Sequence, residues 1–108
     1  MRRIRDNLSF LERFKNCSKR SKLVKKASNE QLKCLYEIAK NTLIGNIKLT
    51  KSDIAKLKRY KKALKILSVK SKSSKTKRVV LQSGGFLAAL ASTVIPVLLT
   101  FAMEYLRK

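Results

Sequence analysis

The sequence predicts an all-α fold: a small helical bundle or helical hairpin body, a Ser/Lys-rich linker, and a C-terminal hydrophobic helix. Three observations predict it. Apolar residues recur at three- and four-residue spacing through the first two thirds of the chain, the period of a helix with one buried face. Ser28 and Thr50 stand immediately ahead of the two strongest apolar stripes, where helix caps belong. No stretch shows the apolar/polar alternation of a half-buried strand. A length of 108 residues gives room for one domain.

The elements follow in order. Between Asp6 and Lys15, Leu8, Leu11 and Phe14 have the spacing of a short helix. Ser18 is placed to cap a second one running to Lys26, with Leu23 and Val24 turned inward. Ser28 with Gln31 three residues later forms a capping box. It opens a helix whose stripe is Leu32, Leu35, Ile38, Ala39 and Leu43 and whose stop is Gly45-Asn46. Thr50 with Asp53 predicts another box, and Leu49 with Ile54 a hydrophobic staple. From there one helix is predicted to near Ser68, with Ile54, Leu57, Leu64 and Leu67 buried beside Tyr60 and Ala63. The short connection Gly45 to Leu49 makes the last two helices packed neighbours. Val69 to Lys77, rich in Ser and Lys, reads as a flexible linker or a segment that orders on a partner. The division is a basic helical body over 1–68, a basic linker over 69–83 and a hydrophobic helix over 84–108.

Charge follows this division. There are 27 Lys and Arg against 6 Asp and Glu, a net charge of +21. Lys48 to Arg78 contains 13 of those cations and only Asp53 in opposition. From Val79 to Met103 no residue is charged. So strong a local excess implies a polyanionic partner, nucleic acid or an acidic membrane surface, because without a counter-charge the segment repels itself. The chain has no His, no carboxylate pair, no nucleophile motif and no Gly-rich phosphate loop. An enzyme, a small-molecule substrate, a cofactor and a metal are therefore not expected. Two cysteines, Cys17 and Cys34, make neither a disulfide framework nor a four-ligand zinc site. They read as reduced, partly buried thiols, and no apolar run follows Met1-Arg2-Arg3 to suggest a secretory signal.

The residues expected to bind nucleic acid are Lys56, Lys58, Arg59, Lys61, Lys62, Lys65, Lys70, Lys72, Lys75, Lys77 and Arg78. Lys predominates, and an ammonium lacks the planar fork that reads guanine edges. Backbone contact to double-stranded DNA, independent of sequence and driven by counterion release, is the expectation. A helix-turn-helix is disfavoured because the second helix starts without Asn, Gln or an Arg cluster. Tyr60 alone among aromatics lies in the basic segment, too few for a single-strand stacking platform.

The segment Phe86 to Met103 is 18 residues without charge, the lower limit for a membrane span. Its apolar residues Phe86, Leu87, Leu90, Ile95, Leu98, Leu99 and Phe101 allow three arrangements: a tail anchor with the basic body on the cytoplasmic side, a helix buried against the body, or a surface for capsid proteins or further copies of the chain. Pro96 is expected to kink the helix.

A basic run from Lys72 to Arg78 precedes Gly84, Gly85, a large apolar Phe86, and an aliphatic stretch with Leu87, Leu90, Ile95 and Pro96. This stretch, about Lys70 to Leu99, resembles the C-terminal part of adenovirus core protein X, the mu peptide precursor. Small basic proteins of that build are also encoded by adintoviruses and Polinton-type elements. The resemblance implies a virion core protein that condenses viral DNA, located in the particle and the host nucleus; the tail-anchor arrangement would instead put it at a host membrane. It also implies a viral protease cut between Gly85 and Phe86, although Gln82 stands fourth upstream where the family has an aliphatic residue.

Overall fold

The computed structural model describes residues 2–69, 73–82 and 85–107, with the side chains of 74 and 103–107 outside that description. Its described residues form nine α-helices and no strand. α1 (Arg2–Asp6) and α2 (Leu8–Asn16) divide at Asn7, where the Asn7 amide donates back to the Arg3 carbonyl at 2.7 Å. Ile4, Phe10, Leu11 and Phe14 point inward from them. α3 (Arg20–Lys25) starts later than the sequence predicts: Lys19, not Ser18, is its N-cap, and no side chain caps it. Arg20 lies there because its guanidinium donates to the Phe14 and Lys15 carbonyls at 2.7 and 2.6 Å, satisfying the open end of α2.

α4 (Asn29–Leu43) begins as predicted. Gln31 N–H donates to Ser28 Oγ at 3.2 Å, and Ser28 N–H donates to Gln31 Oε1 at 2.9 Å, a closed capping box. Leu32, Leu35, Ile38 and Ala39 are fully buried, and Leu43 is half-buried. The helix stops at Gly45, which holds φ +80°, a conformation that a Cβ disfavours.

The single helix expected from Thr50 to Ser68 is two: α5 (Lys51–Lys58) and α6 (Lys61–Ser68), broken at Arg59-Tyr60. Thr50 caps α5 by accepting from Asp53 N–H at 3.1 Å. The break serves two partners. α5 packs on the C-terminal hairpin, while α6 packs on α4 and on the helix that follows it. A run of closely spaced lysines also weakens a continuous helix through like-charge repulsion at i, i+3 and i, i+4. Ile54 is 55% exposed, so the staple residue expected in the stripe faces solvent instead; Leu57, Leu64 and Leu67 supply the buried side.

Part of the stretch expected to be a linker is helical. α7 (Ser74–Leu81) is capped by Ser73, whose Oγ accepts from Thr76 N–H at 3.2 Å. Arg78 Nη1 and Gln82 Nε2 donate to the Lys25 and Ser21 carbonyls, tying α7 to α3.

The uncharged tail is also two helices, α8 (Phe86–Ser92) and α9 (Val94–Arg107). Pro96 explains the break. It has no N–H to give the Ser92 carbonyl, and its ring would collide with that carbonyl in a continuous helix. The chain therefore turns at Thr93 and Pro96 sits in the first turn of α9, where no N–H is required. The expected mid-helix kink is thus a complete break three residues earlier. Thr93 is buried, and its hydroxyl donates to the Ala89 carbonyl at 2.7 Å.

The tail packs on the body. Phe86, Leu87, Leu90, Ala91, Val94, Ile95, Leu98 and Leu99 join Phe10, Leu11, Phe14 and Leu81 in one core, with α2 against both α8 and α9. The Cα radius of gyration is 12.9 Å, close to the ~13 Å of a compact chain of this length. No single helix among the described residues is long and apolar enough to cross a membrane; α7 and the tail together would pass only as a pair bent by 69°. Leu90→Ala should lower unfolding stability by about 2–5 kcal/mol, read from the urea midpoint by circular dichroism. A loss under 1 kcal/mol would contradict a load on the tail.

Candidate nucleic-acid interface

Lys56 and Lys58 stand on α5, Arg59 at the break, and Lys61, Lys62 and Lys65 on α6; all six are exposed. Leu57, Leu64 and Leu67 are the buried residues of these helices, with Lys56 and Lys58 flanking Leu57 on either side. The break between the helices is held by Tyr60. Its ring packs on Phe86 at 5.6 Å between centroids, tilted by 42°, and the Arg59 guanidinium lies 5.8 Å from the Tyr60 ring centre. Gly85, at φ +77°, lets α8 start there, and a Cβ on it would lie 3.3 Å from the Tyr60 hydroxyl. The cationic surface and the apolar tail are therefore joined at Tyr60–Phe86.

The remaining candidates divide. Lys75 is exposed on α7. Lys77 is largely buried, at 9% exposed, with Nζ 4.9 Å from the centre of the Tyr36 ring. Arg78 is half-buried and directs Nη1 to the Lys25 carbonyl. Lys70, Lys72 and Gly84 lie outside the described residues. At the anticipated cleavage point, Phe86 is 1% exposed, so its side chain is part of the core. Among the residues expected to meet a membrane, Phe101 is exposed and Pro96 half-buried, while Leu87, Leu90, Ile95, Leu98 and Leu99 are buried.

Sequence reasoning missed how the acids are held. Arg3 pairs with Glu30 and Glu37, each at 3.3 Å, and Arg2 reaches Asp6 at 3.9 Å. The pairs with Asp6 and Glu30 are exposed and add little stability, and the pair with Glu37 is part-buried. Their consequence is placement: three of the chain's six carboxylates are gathered at α1 and α4, and Asp53 is the only acid on α5 and α6. The long sequence separation of Arg3 from its partners left no local signal.

No group of three or more potential metal ligands occurs among the described residues. Cys34 is fully buried, and burial first, then the Glu37 carboxylate, pushes its thiol up to about 12. Cys17 is half-buried, with Sγ accepting from Lys19 N–H at 3.3 Å. Compared with protein families, with curated protein sequences and with solved structures, the chain gives no match.

Thiolate is the reactive form of cysteine. Below pH 9 the folded Cys34 keeps its proton, so iodoacetamide should modify Cys17 first and reach Cys34 only in denaturant, as read by peptide mass spectrometry. Equal labelling of both in the native protein would contradict the buried assignment.

Proposed function

We propose that the protein binds double-stranded DNA through its phosphate backbone, independently of base sequence, and that it acts as a packing protein for DNA rather than as an enzyme. The observation that carries this reading is the face formed by Lys56, Lys58, Arg59, Lys61, Lys62 and Lys65: exposed cations on two successive helices, with Asp53 the one carboxylate on them. Five of the six are Lys, which suits phosphate contact rather than base reading. A net charge of +21 also favours neutralisation of DNA repulsion, the requirement for condensation. The order of basic segment, Gly pair and aliphatic tail supports placing this activity in a virion core of the adenovirus protein X type. The tail's role in that setting is to stabilise the cationic body from within.

Six engaged phosphates would give a slope of log K against log salt of about −5. Replacing Lys58, Lys62 and Lys65 together by Gln should reduce that slope by about 3 and weaken all duplex sequences alike. Gel-shift titration on two unrelated duplexes between ~50 and 200 mM salt provides the test. Salt-independent binding, or a loss confined to one sequence, would refute the proposal.

A further inference from the structure

A second positively charged feature is built from other residues, and Lys77 belongs to it. A groove with a volume of about 850 Å³ runs along α4 and is closed by α1 on one side and by the end of α6 and α7 on the other; Lys33, Tyr36, Lys40, Ser68 and Lys77 line it. Lys33 and Lys40 are seven residues apart, so they share one side of α4 about 10 Å apart along its axis. Both are exposed. Lys77 enters from α7, more than nine-tenths buried, with its ammonium over Tyr36. Glu37 also lines the groove, but Arg3 lies 3.3 Å from it. No carboxylate among the described residues pairs with Lys77.

The Lys77 stem is buried, while its ammonium, beside the Tyr36 ring, borders the groove with no carboxylate in salt-bridge contact, so an anion entering there would meet it. Arg3 is shared between Glu30 and Glu37, and the groove lining still carries Lys33, Lys40 and Lys77 in excess of its carboxylate, around a space large enough for a small molecule. A duplex is a poor fit: its phosphates lie on a stiff rod that meets exposed lysines, whereas Lys77 is recessed. A short chain of phosphates is narrow, flexible and multiply charged, and it can reach all three.

We propose that this groove binds a compact polyphosphate, such as the triphosphate of a nucleotide or an inorganic oligophosphate, through Lys33, Lys40 and Lys77. The site is independent of the DNA-binding reading and stands if that reading fails.

Isothermal titration of the full chain with tripolyphosphate and with ATP, at 150 mM salt, tests it. One saturable site is expected. The double variant Lys33→Gln/Lys40→Gln, at exposed positions that leave the core untouched, should weaken binding by about tenfold or more. Lys77→Met should do the same, with circular dichroism checking its fold. Lys58→Gln/Lys62→Gln removes as many charges as the double variant but from the proposed DNA-binding face. It should leave tripolyphosphate affinity within about twofold while weakening duplex DNA in gel shifts. Equal affinity for the two ligands assigns recognition to the phosphate chain alone; tighter ATP binding adds the nucleoside. Absence of a saturable site, or equal losses in the groove pair and the control pair, would overturn the proposal, because the second result is that of unspecific charge attraction.

Discussion

The packing of the uncharged α8–α9 hairpin against α2 is the contact on which the rest of the molecule depends. A chain of this length and net charge has little apolar material in its basic segment: α5 buries only Leu57, and α6 only Leu64 and Leu67. The tail supplies Phe86, Leu90, Val94, Ile95 and Leu98 to the same core as Phe10, Leu11 and Phe14. Burial of that surface opposes both the chain entropy and the mutual repulsion of the lysines. Without the hairpin, α2 would lose the helices it packs on most, and α3 would keep only its contact with α7 among its main partners.

Pro96 makes this possible. A continuous 18-residue apolar helix could lie along only one side of the body. The break at Thr93 folds the segment, so that α8 reaches α3 and α5 while both halves touch α2. Tyr60 then couples the hairpin to the cationic surface, with its ring on Phe86 and Arg59 beside it. Core and charged face are thus coupled: the same turn that exposes Arg59 and Lys61 places an aromatic ring on the tail.

Charge is sorted by tertiary contacts. Arg2 and Arg3 hold Asp6, Glu30 and Glu37 near α1 and α4, which leaves the lysines of α5 and α6 with Asp53 as the one acid on their helices. The lysines themselves divide into two kinds. Those on α5 and α6 are surface charges for an extended partner, whereas Lys77 is recessed beside Tyr36 and suits a ligand that enters the groove.

The sequence by itself determined the all-α class, the start of α4 at its Ser28–Gln31 box, its end at Gly45, the Thr50 cap and the basic segment followed by the uncharged one. Each is a local matter: a hydroxyl within reach of an N–H three residues on, a glycine at positive φ, a 3.6-residue period, a count of charges. The tertiary structure decided where long elements break and what the apolar tail covers. No Gly or Pro marks a helix end at Arg59-Tyr60; repulsion among the neighbouring lysines weakens the helix there, and the different partners of α5 and α6 place the break. The Ser/Lys-rich stretch gave no apolar period strong enough to predict α7, which is held by carbonyls of α3 and by the ring of Tyr36. Whether eighteen uncharged residues lie in lipid or in a core is likewise absent from their composition, since both environments are apolar. Here the apolar sides of α2, α3 and α5 provide the second, and burial there leaves the cations outside.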